Sequence, residues 1–299
     1  MGLLAIVRIR LMYLCAYLLR ICLPFKDASP IAVTILPFLH PRLKSQKPAF
    51  LSGLSKHSSH SEGAEQSWQR HKALVGMNRF ASSYYAQPDM SWLLQLPLEI
   101  KGEEHLRALH DLNKGVLVMT YHHHLNMLFC NMLARIGLPV TTIAMDDRDK
   151  SRPGRSMDRV TRIHTHAATM VNGGELLLIK TKQGVRPILR AFEKNHLVIS
   201  ANDFPEVYDD KNRKDFPFLD TTLSCPTGTV KLAVKKQIPI VAAYLNWLGE
   251  DRFELIIAPV SDGSEELKVK EAMSSYLGVL ENMVQKQSGI WEGWKWLSK

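Results

Sequence analysis

Strand-like and helix-like segments alternate along the chain from about residue 95, and this pattern constrains the fold more than any other feature of the sequence. The predicted strands are short runs rich in apolar and β-branched residues: Val116–Met119, Val140–Ala144, Glu175–Ile179, Leu197–Ser200, Ile238–Tyr244 and Phe253–Ala258. The predicted helices are Leu125–Arg135, Arg155–Met170, Val185–Glu193, Thr227–Lys235 and Glu265–Gln287. Such alternation predicts an α/β fold with a mostly parallel central sheet and helices on both faces.

One strand ends in a cluster of polar residues. The segment GVLVMTYHHHLNML, residues 115–128, passes from a buried strand through His122, His123 and His124 into an apolar helical pattern. Open α/β sheets place their reactive groups at the carboxyl ends of their strands. A neutral imidazole at such a position can act as a general base near neutral pH. We therefore take this junction as the candidate reactive site.

The N-terminal segment, residues 1–24, is strongly apolar but carries three arginines. The longest uncharged run, Leu11–Leu19, is shorter than the roughly 20 residues that span a bilayer. The pattern predicts an interfacial or membrane-anchoring helix whose arginines (Arg8, Arg10 and Arg20) reach lipid phosphates. A soluble core helix and an inefficient membrane-spanning anchor are the alternatives.

Composition divides the rest of the chain into two parts. Residues 25–94 form a variable N-terminal region, with a polar stretch at 44–69 that we interpret as a flexible loop. Residues 95–299 form the α/β domain.

Charge and cysteine content limit the partners. A formal charge of +9 favours anionic partners such as phospholipid or phosphorylated ligands, although a solvated basic surface has the same charge. The chain has none of the helix-turn-helix, zinc-finger or stacking-platform signatures of nucleic-acid binding. Its four cysteines form no CxxC pair, which fits thiols in a reducing compartment. Three consecutive histidines point in diverging directions, so we expect no metal site there.

Five segments, in this order, carry a resemblance to a known family. They are GVLVMTYH, ARIGLPVTTIA, GVRPILRAF, CPTGTVKLAVKKQIPIVAAYL and the terminal WEGWKW. Over residues 95–299 the chain resembles the lipid A biosynthesis acyltransferases, a branch of the glycerolipid (lysophospholipid) acyltransferase superfamily. The apolar N-terminal helix is similar to the membrane anchor of that family.

The resemblance implies a function. Family members move a fatty acyl chain from a thioester of acyl carrier protein or coenzyme A to a hydroxyl of a membrane glycolipid or lysolipid. The expected partners are thus the acyl donor, a membrane lipid acceptor and the membrane surface, without nucleic acid. No cofactor is expected besides the thioester co-substrate. The expected location is the cytoplasmic face of the inner membrane, with peripheral or monotopic attachment.

The catalytic motif departs from the family pattern at one position. Family members carry a histidine followed, after four residues, by Asp or Glu. The histidine aligns with His122, and the acid position holds Met127, whose thioether cannot carry a negative charge. Three hypotheses follow: another carboxylate orients His122, His122 works unassisted, or the fold has lost catalysis and kept binding.

Asp203 is the best candidate for the replacing carboxylate. It follows the strand LVIS, where the resembling family carries an acidic residue, and neighbouring parallel strands bring their carboxyl ends together. Its alternative role is a turn or helix N-cap residue.

Further candidates surround this pair. The start of the helix after His122 would direct backbone N–H groups toward the reacting carbonyl. Asn126 is a candidate side-chain donor, or else a satisfied polar residue of the first helical turn.

A basic cluster is a candidate phosphate-binding surface, or else an exposed charged helix: Arg148, Arg152, Arg155 and Arg159. The terminal tryptophans fit either a membrane interface or a cap on the core: Trp291, Trp294 and Trp296.

The sequence thus predicts an O-acyltransferase with His122 as general base. A catalytically silent lipid- or acyl-binding protein on the same fold is the alternative, and a metal-dependent hydrolase is a third and weaker one.

Overall fold

A seven-stranded sheet forms the centre of the α/β domain. The computed structural model describes residues 3–41, 43–57, 63–84, 91–145, 174–179, 185–203, 213–263 and 268–297. The strands are β1 (Leu98–Lys101), β2 (Val116–Thr120), β3 (Val140–Met145), β4 (Glu175–Ile179), β5 (Leu197–Ala201), β6 (Arg213–Phe218), β7 (Thr221–Pro226), β8 (Ile240–Gly249) and β9 (Arg252–Ser261). The order across the sheet is β1-β9-β8-β2-β5-β3-β4. Among the described strands of this sheet, β8 and β9 pair antiparallel and the other neighbours pair parallel. Strands β6 and β7 form a separate antiparallel hairpin.

Helices precede the sheet and connect its strands. They are α1 (Leu3–Cys22), α2 (Phe25–Leu39), α3 (Leu43–His57), α4 (Ala64–Tyr84), α5 (Ser91–Gln95), α6 (Glu103–His110), α7 (Asn126–Ala134), α8 (Arg186–Glu193), α9 (Gly228–Lys236), α10 (Val269–Lys286) and α11 (Trp294–Leu297). A short 3-10 turn, Ser288–Ile290, joins α10 to the end of the chain.

The predicted α/β fold is confirmed. All six predicted strands are present, with ends that differ by a few residues. The predicted helix Arg155–Met170 lies outside the described residues. Sequence reasoning missed β1 and the β6–β7 hairpin. The first hairpin strand, RKDFPF, begins with three charged residues and contains Pro217, and the second, TTLSCP, is mostly polar. The hairpin therefore lacks the continuous apolar run by which the buried strands are recognised.

The central strand β2 is fixed from both faces. Every residue of Val116–Thr120 is buried, as expected for a parallel strand covered by helices on both sides. Tyr121 stacks on Tyr276 of α10 at 4.7 Å between ring centroids. The Tyr121 hydroxyl donates to the Tyr276 carbonyl at 2.9 Å, and the Tyr276 hydroxyl donates to the Thr120 carbonyl at 2.7 Å. This reciprocal pair holds the end of β2 immediately before His122.

The polar stretch 44–69 is not a loop over most of its length. Residues Leu43–His57 form α3, and the second half continues into α4. These helices were missed because their polar residues dominate the composition, while a few large side chains on one face supply the burial. Phe50 and Trp68, one from each helix, are buried with ring centroids 5.4 Å apart. Only residues 58–62 of this stretch lie outside the described part.

Helix α1 packs on the protein with one side and leaves the other exposed. Met12 and Ala16 are buried against the neighbouring helices. The Arg20 guanidinium donates to the Ser83 carbonyl of α4 at 2.6 Å, so Arg20 fastens α1 to the protein, contrary to the expectation that it reaches lipid. Large apolar side chains are exposed along the outer faces of α1 and α2: Leu4, Val7, Leu11, Leu14, Leu18, Ile21, Ile31, Ile35 and Phe38. Among the described residues, no helix is long and apolar enough to cross a bilayer.

A glycine contact between α3 and α11 offers a test of this packing. A Cβ at Gly53 would overlap the Trp294 carbonyl oxygen, whereas a Cβ at Gly278, within α10, meets nothing within 4 Å. Alanine is favoured over glycine in a helix by about 1 kcal/mol. We expect Gly278→Ala to raise the free energy of unfolding by up to about that amount. Gly53→Ala should lower it by about 1–3 kcal/mol, because backbone must move to admit the methyl group. Urea unfolding of both variants measures the difference, and equal effects would contradict the close approach.

Candidate active site

His122 and Asp203 meet at the carboxyl edge of the sheet. Strands β2 and β5 are adjacent and parallel, with Thr120 opposite Ala201, so the residues that follow each strand emerge side by side. His122 Nδ1 lies 2.6 Å from Asp203 Oδ1. The His122 backbone N–H also donates to both carboxylate oxygens, at 3.0 and 2.8 Å. The predicted pairing is therefore present in the structure.

Trp291 completes the surroundings of the Asp203 carboxylate. Its indole Nε1–H donates to Asp203 Oδ2 at 2.8 Å, and both side chains are fully buried. Trp291 also forms an isolated antiparallel bridge with His123. Sequence reasoning proposed Trp291 and Trp294 as membrane-interface residues or as a core cap. Both are buried, so the interface role is wrong for these two. The role of Trp291 as a donor to Asp203 was missed.

The environment of His122 suits a general base. The imidazole is about one-third exposed (32%), whereas the Asp203 carboxylate has no exposed surface. Burial lowers the pKa of His122, but the charge and hydrogen bond of Asp203 outweigh burial and raise it above its ordinary value of 6.5. A proton held on Nδ1 by Asp203 leaves the imidazole lone pair on Nε2. This is the tautomer that a triad-type base requires.

The other two histidines of the run point elsewhere, as expected from consecutive residues. His123 is buried, and burial lowers its pKa to about 3, so it is neutral. Its Nδ1 accepts the Leu125 N–H at 3.2 Å. His124 Nδ1 lies 3.0 Å from Glu292 Oε1, and its Nε2 lies 3.3 Å from the His71 ring nitrogens. No group of three potential ligands for a metal ion occurs in the described part of the chain.

Four backbone N–H groups before and at the start of α7 are already engaged by other acceptors. The His122 N–H is bound by Asp203, and the His123 N–H donates to the Tyr121 carbonyl at 3.0 Å. Leu125 donates to the His123 ring, and the Asn126 N–H donates to the His123 carbonyl at 3.2 Å. The expectation is therefore wrong for these four N–H groups, because the tight turn between β2 and α7 already uses them.

Of the remaining predicted residues, Asn126 lies in the described part of the chain and the basic cluster does not. Asn126 Oδ1 lies 3.5 Å from the His123 backbone N–H, which matches its alternative role in the first helical turn. Its role as a donor to substrate stays a prediction. The basic cluster Arg148, Arg152, Arg155 and Arg159 lies outside the described residues. Trp296 instead borders the site, with its ring edge-on to His122 at 5.7 Å between centroids.

The pairing of His122 with Asp203 predicts a pH-dependent stability. Because folding raises the pKa of His122 above 6.5, the stabilisation from this shift is fully present below pH 6.5. It is lost as the pH rises through the folded-state pKa. The difference in free energy of unfolding between the native protein and Asp203→Asn should therefore be larger at about pH 5.5 than at about pH 9. Urea titrations at both pH values measure it. In a His122→Gln background the same difference should not depend on pH, and a pH-independent difference in the native background would contradict the pairing.

The part of the chain that contains this site matches a known family. Residues 91–299, more than half of the chain, match the bacterial lipid A biosynthesis acyltransferases. A search of curated proteins gave no match to the chain. His122, Asp203 and Trp291 all lie within the matched range. The chain therefore belongs to the bacterial lipid A biosynthesis acyltransferase family.

Proposed function

We propose that the protein is a membrane-associated O-acyltransferase. It moves a fatty acyl chain from an acyl carrier protein or coenzyme A thioester to a hydroxyl of a membrane glycolipid or lysolipid. Family membership supports acyl transfer to a lipid. The observation that carries the proposal for this chain is the hydrogen bond between His122 and a buried carboxylate, present although Met127 occupies the family's acid position.

The chemistry follows from the geometry of the pair. His122 Nε2 takes the proton of the acceptor hydroxyl as the oxygen attacks the thioester carbonyl carbon. The tetrahedral intermediate collapses with cleavage of the C–S bond, and His122 returns the proton to the leaving sulfur. The products are an ester and a free thiol. Asp203 holds the imidazole in the required tautomer and stabilises the imidazolium that forms transiently.

The charge distribution suits an anionic donor. The protein carries a formal charge of +9, and the phosphopantetheine arm of either thioester donor bears a phosphate. We propose Arg148, Arg152, Arg155 and Arg159 as the residues that bind this phosphate or the phosphate of the acceptor head group. The reaction needs no cofactor besides the thioester.

The activity itself is tested by lipid mass spectrometry. We expect cells that produce the native protein to contain a lipid enlarged by one acyl chain, and cells that produce His122→Ala to lack it. With purified protein, His122→Ala and Asp203→Asn should each lower the transfer rate by about 10²–10⁴-fold. The rate of the native protein should rise with pH through the raised pKa of His122, because the neutral imidazole is the base.

Met127→Glu distinguishes an active site from a degenerate one. Since Asp203 already pairs with His122, a second carboxylate adds desolvation cost and should leave the rate unchanged or lower it. A gain of activity in Met127→Glu would show that Asp203 does not fill the role. Native protein that binds acyl-lipid but transfers nothing would support the alternative function, a silent lipid- or acyl-binding protein.

We propose that the exposed apolar faces of α1 and α2 attach the protein to the cytoplasmic face of the inner membrane. Leu4, Leu11 and Leu18 repeat every seven residues on one side of α1 and are between 44% and 71% exposed. An apolar surface of this extent is typical of a membrane or protein contact.

Replacing these three leucines tests the attachment. The triple variant Leu4→Gln, Leu11→Gln, Leu18→Gln should bind phosphatidylglycerol–phosphatidylethanolamine vesicles more weakly by on the order of 100-fold. This estimate assumes about 1 kcal/mol per leucine. A control replaces two comparably exposed apolar residues outside these helices by glutamine: Leu112 and Val185. Equal flotation of both variants would remove α1 as the membrane contact.

A further inference from the structure

The end of the chain lies directly behind His122. The Glu292 N–H donates to the His122 carbonyl at 3.0 Å. Because the adjacent Trp291 binds both His123 and Asp203, two consecutive residues of the terminal segment contact the reactive loop. The position of His122 therefore depends on a segment that is 169 residues away in sequence (291 − 122).

Glu292 places a negative charge beside the reactive loop. Its carboxylate lies between two basic groups, with Oε1 at 3.0 Å from His124 Nδ1 and Oε2 at 3.2 Å from Lys295 Nζ. Burial raises the pKa of Glu292, but His124 and Lys295 outweigh burial and hold that pKa well below its ordinary value. Glu292 is therefore ionised at neutral pH.

Lys295 places a positive charge on the other side of Glu292. Its ammonium lies 5.4 Å from the centre of the Trp296 ring, and that ring stands edge-on to His122. The Lys295 side chain is about one-third exposed (35%), comparable to the His122 side chain. The border of the site thus carries a carboxylate and an ammonium from one short segment.

We propose that Glu292 is a positioning residue for His122, that it acts through its main-chain hydrogen bond and its charge, and that Lys295 balances this charge. The inference rests on the proposed function only in taking His122 as the catalytic base. According to this proposal, the terminal segment adjusts the pKa of His122 in addition to covering the core.

The two charges act in opposite directions. A carboxylate near an imidazolium stabilises it and raises the pKa of His122, whereas an ammonium lowers that pKa. Several other titratable groups also face the loop. Asp203 pairs directly with His122, burial keeps His71 and His123 neutral, and the phenols of Tyr121 and Tyr276 have pKa values raised by burial. His124 is bound to Glu292.

Histidine NMR measures the effect without any enzyme assay. In full-length protein labelled with ¹³C at histidine Cε1, the resonance that disappears in His122→Gln identifies His122. Glu292→Gln should lower the pKa of this resonance by about 0.5 unit, and Lys295→Gln should raise it by about the same amount. Shifts of that size are expected for one charge several ångströms away in a partly exposed site. The acidic limb of the pH–rate profile for acyl transfer should move in the same two directions.

The chain offers a matched control. Glu175 and Lys194 form an ion pair at 2.6 Å near the start of β4 and β5, at the opposite edge of the sheet from His122. Glu175→Gln and Lys194→Gln should leave the His122 resonance unchanged.

Opposite shifts separate the proposal from a purely structural role. If Glu292 only holds the fold, Glu292→Gln and Lys295→Gln should both broaden the His122 resonance, shift its pKa in the same direction, or leave that pKa unchanged. Any of these three outcomes overturns the proposal. If Glu292→Gln does not fold, the partly exposed Lys295 still provides the test, and a pKa that does not rise in Lys295→Gln overturns the proposal by itself. Opposite shifts in a protein without transferase activity would refute the proposed function and leave this inference standing.

Discussion

The structure depends on one buried carboxylate. Asp203 accepts hydrogen bonds from the His122 backbone, the His122 ring and the Trp291 indole, and so joins the end of β5, the end of β2 and the terminal segment. A buried ionised carboxylate without such partners costs several kcal/mol. The three segments therefore hold their positions together, and the carboxylate that orients the His122 ring also fixes the fold around it.

This arrangement explains why three identical neighbours have different roles. The Asp203 bond turns the His122 ring toward the site border, and the bridge to Trp291 turns His123 into the core. His124 then pairs with Glu292 on the side of α4. His122 combines a carboxylate partner with a raised pKa and a side chain that is about one-third exposed. A run of one residue type thus supplies one partly exposed imidazole held by Asp203, one core residue and one partner for Glu292, since the backbone rotates between consecutive side chains.

Sequence reasoning succeeded where the determining pattern is local or topological. The buried strands are continuous apolar runs, and the His122–Asp203 pairing follows from two adjacent parallel strands. It failed for Trp291 and Glu292, because Trp291 lies 88 positions from Asp203 and Glu292 is still farther from His122, so neither contact leaves a local trace in the sequence. It failed also for α3 and the start of α4, where a few buried large residues such as Phe50 and Trp68 lie within polar segments. The signal that remained for Trp291 was an indole that needs a partner when buried.

The source of the orienting acid has a consequence for catalysis. In this chain the carboxylate comes from the neighbouring strand, and position 127 on α7 holds Met. The carboxylate is rigidly held, since both its oxygens accept from the His122 N–H and Trp291 restrains one of them. A rigid anion beside the imidazole makes His122 a stronger base but also leaves a smaller fraction of it unprotonated at neutral pH. A nearby positive charge such as Lys295 lowers the pKa of His122 and so raises its unprotonated fraction, while the hydrogen bond between His122 and Asp203 stays in place. The terminal segment thus supplies the Trp291 N–H that binds Asp203 and the Lys295 charge that opposes the effect of Asp203 on the pKa of His122.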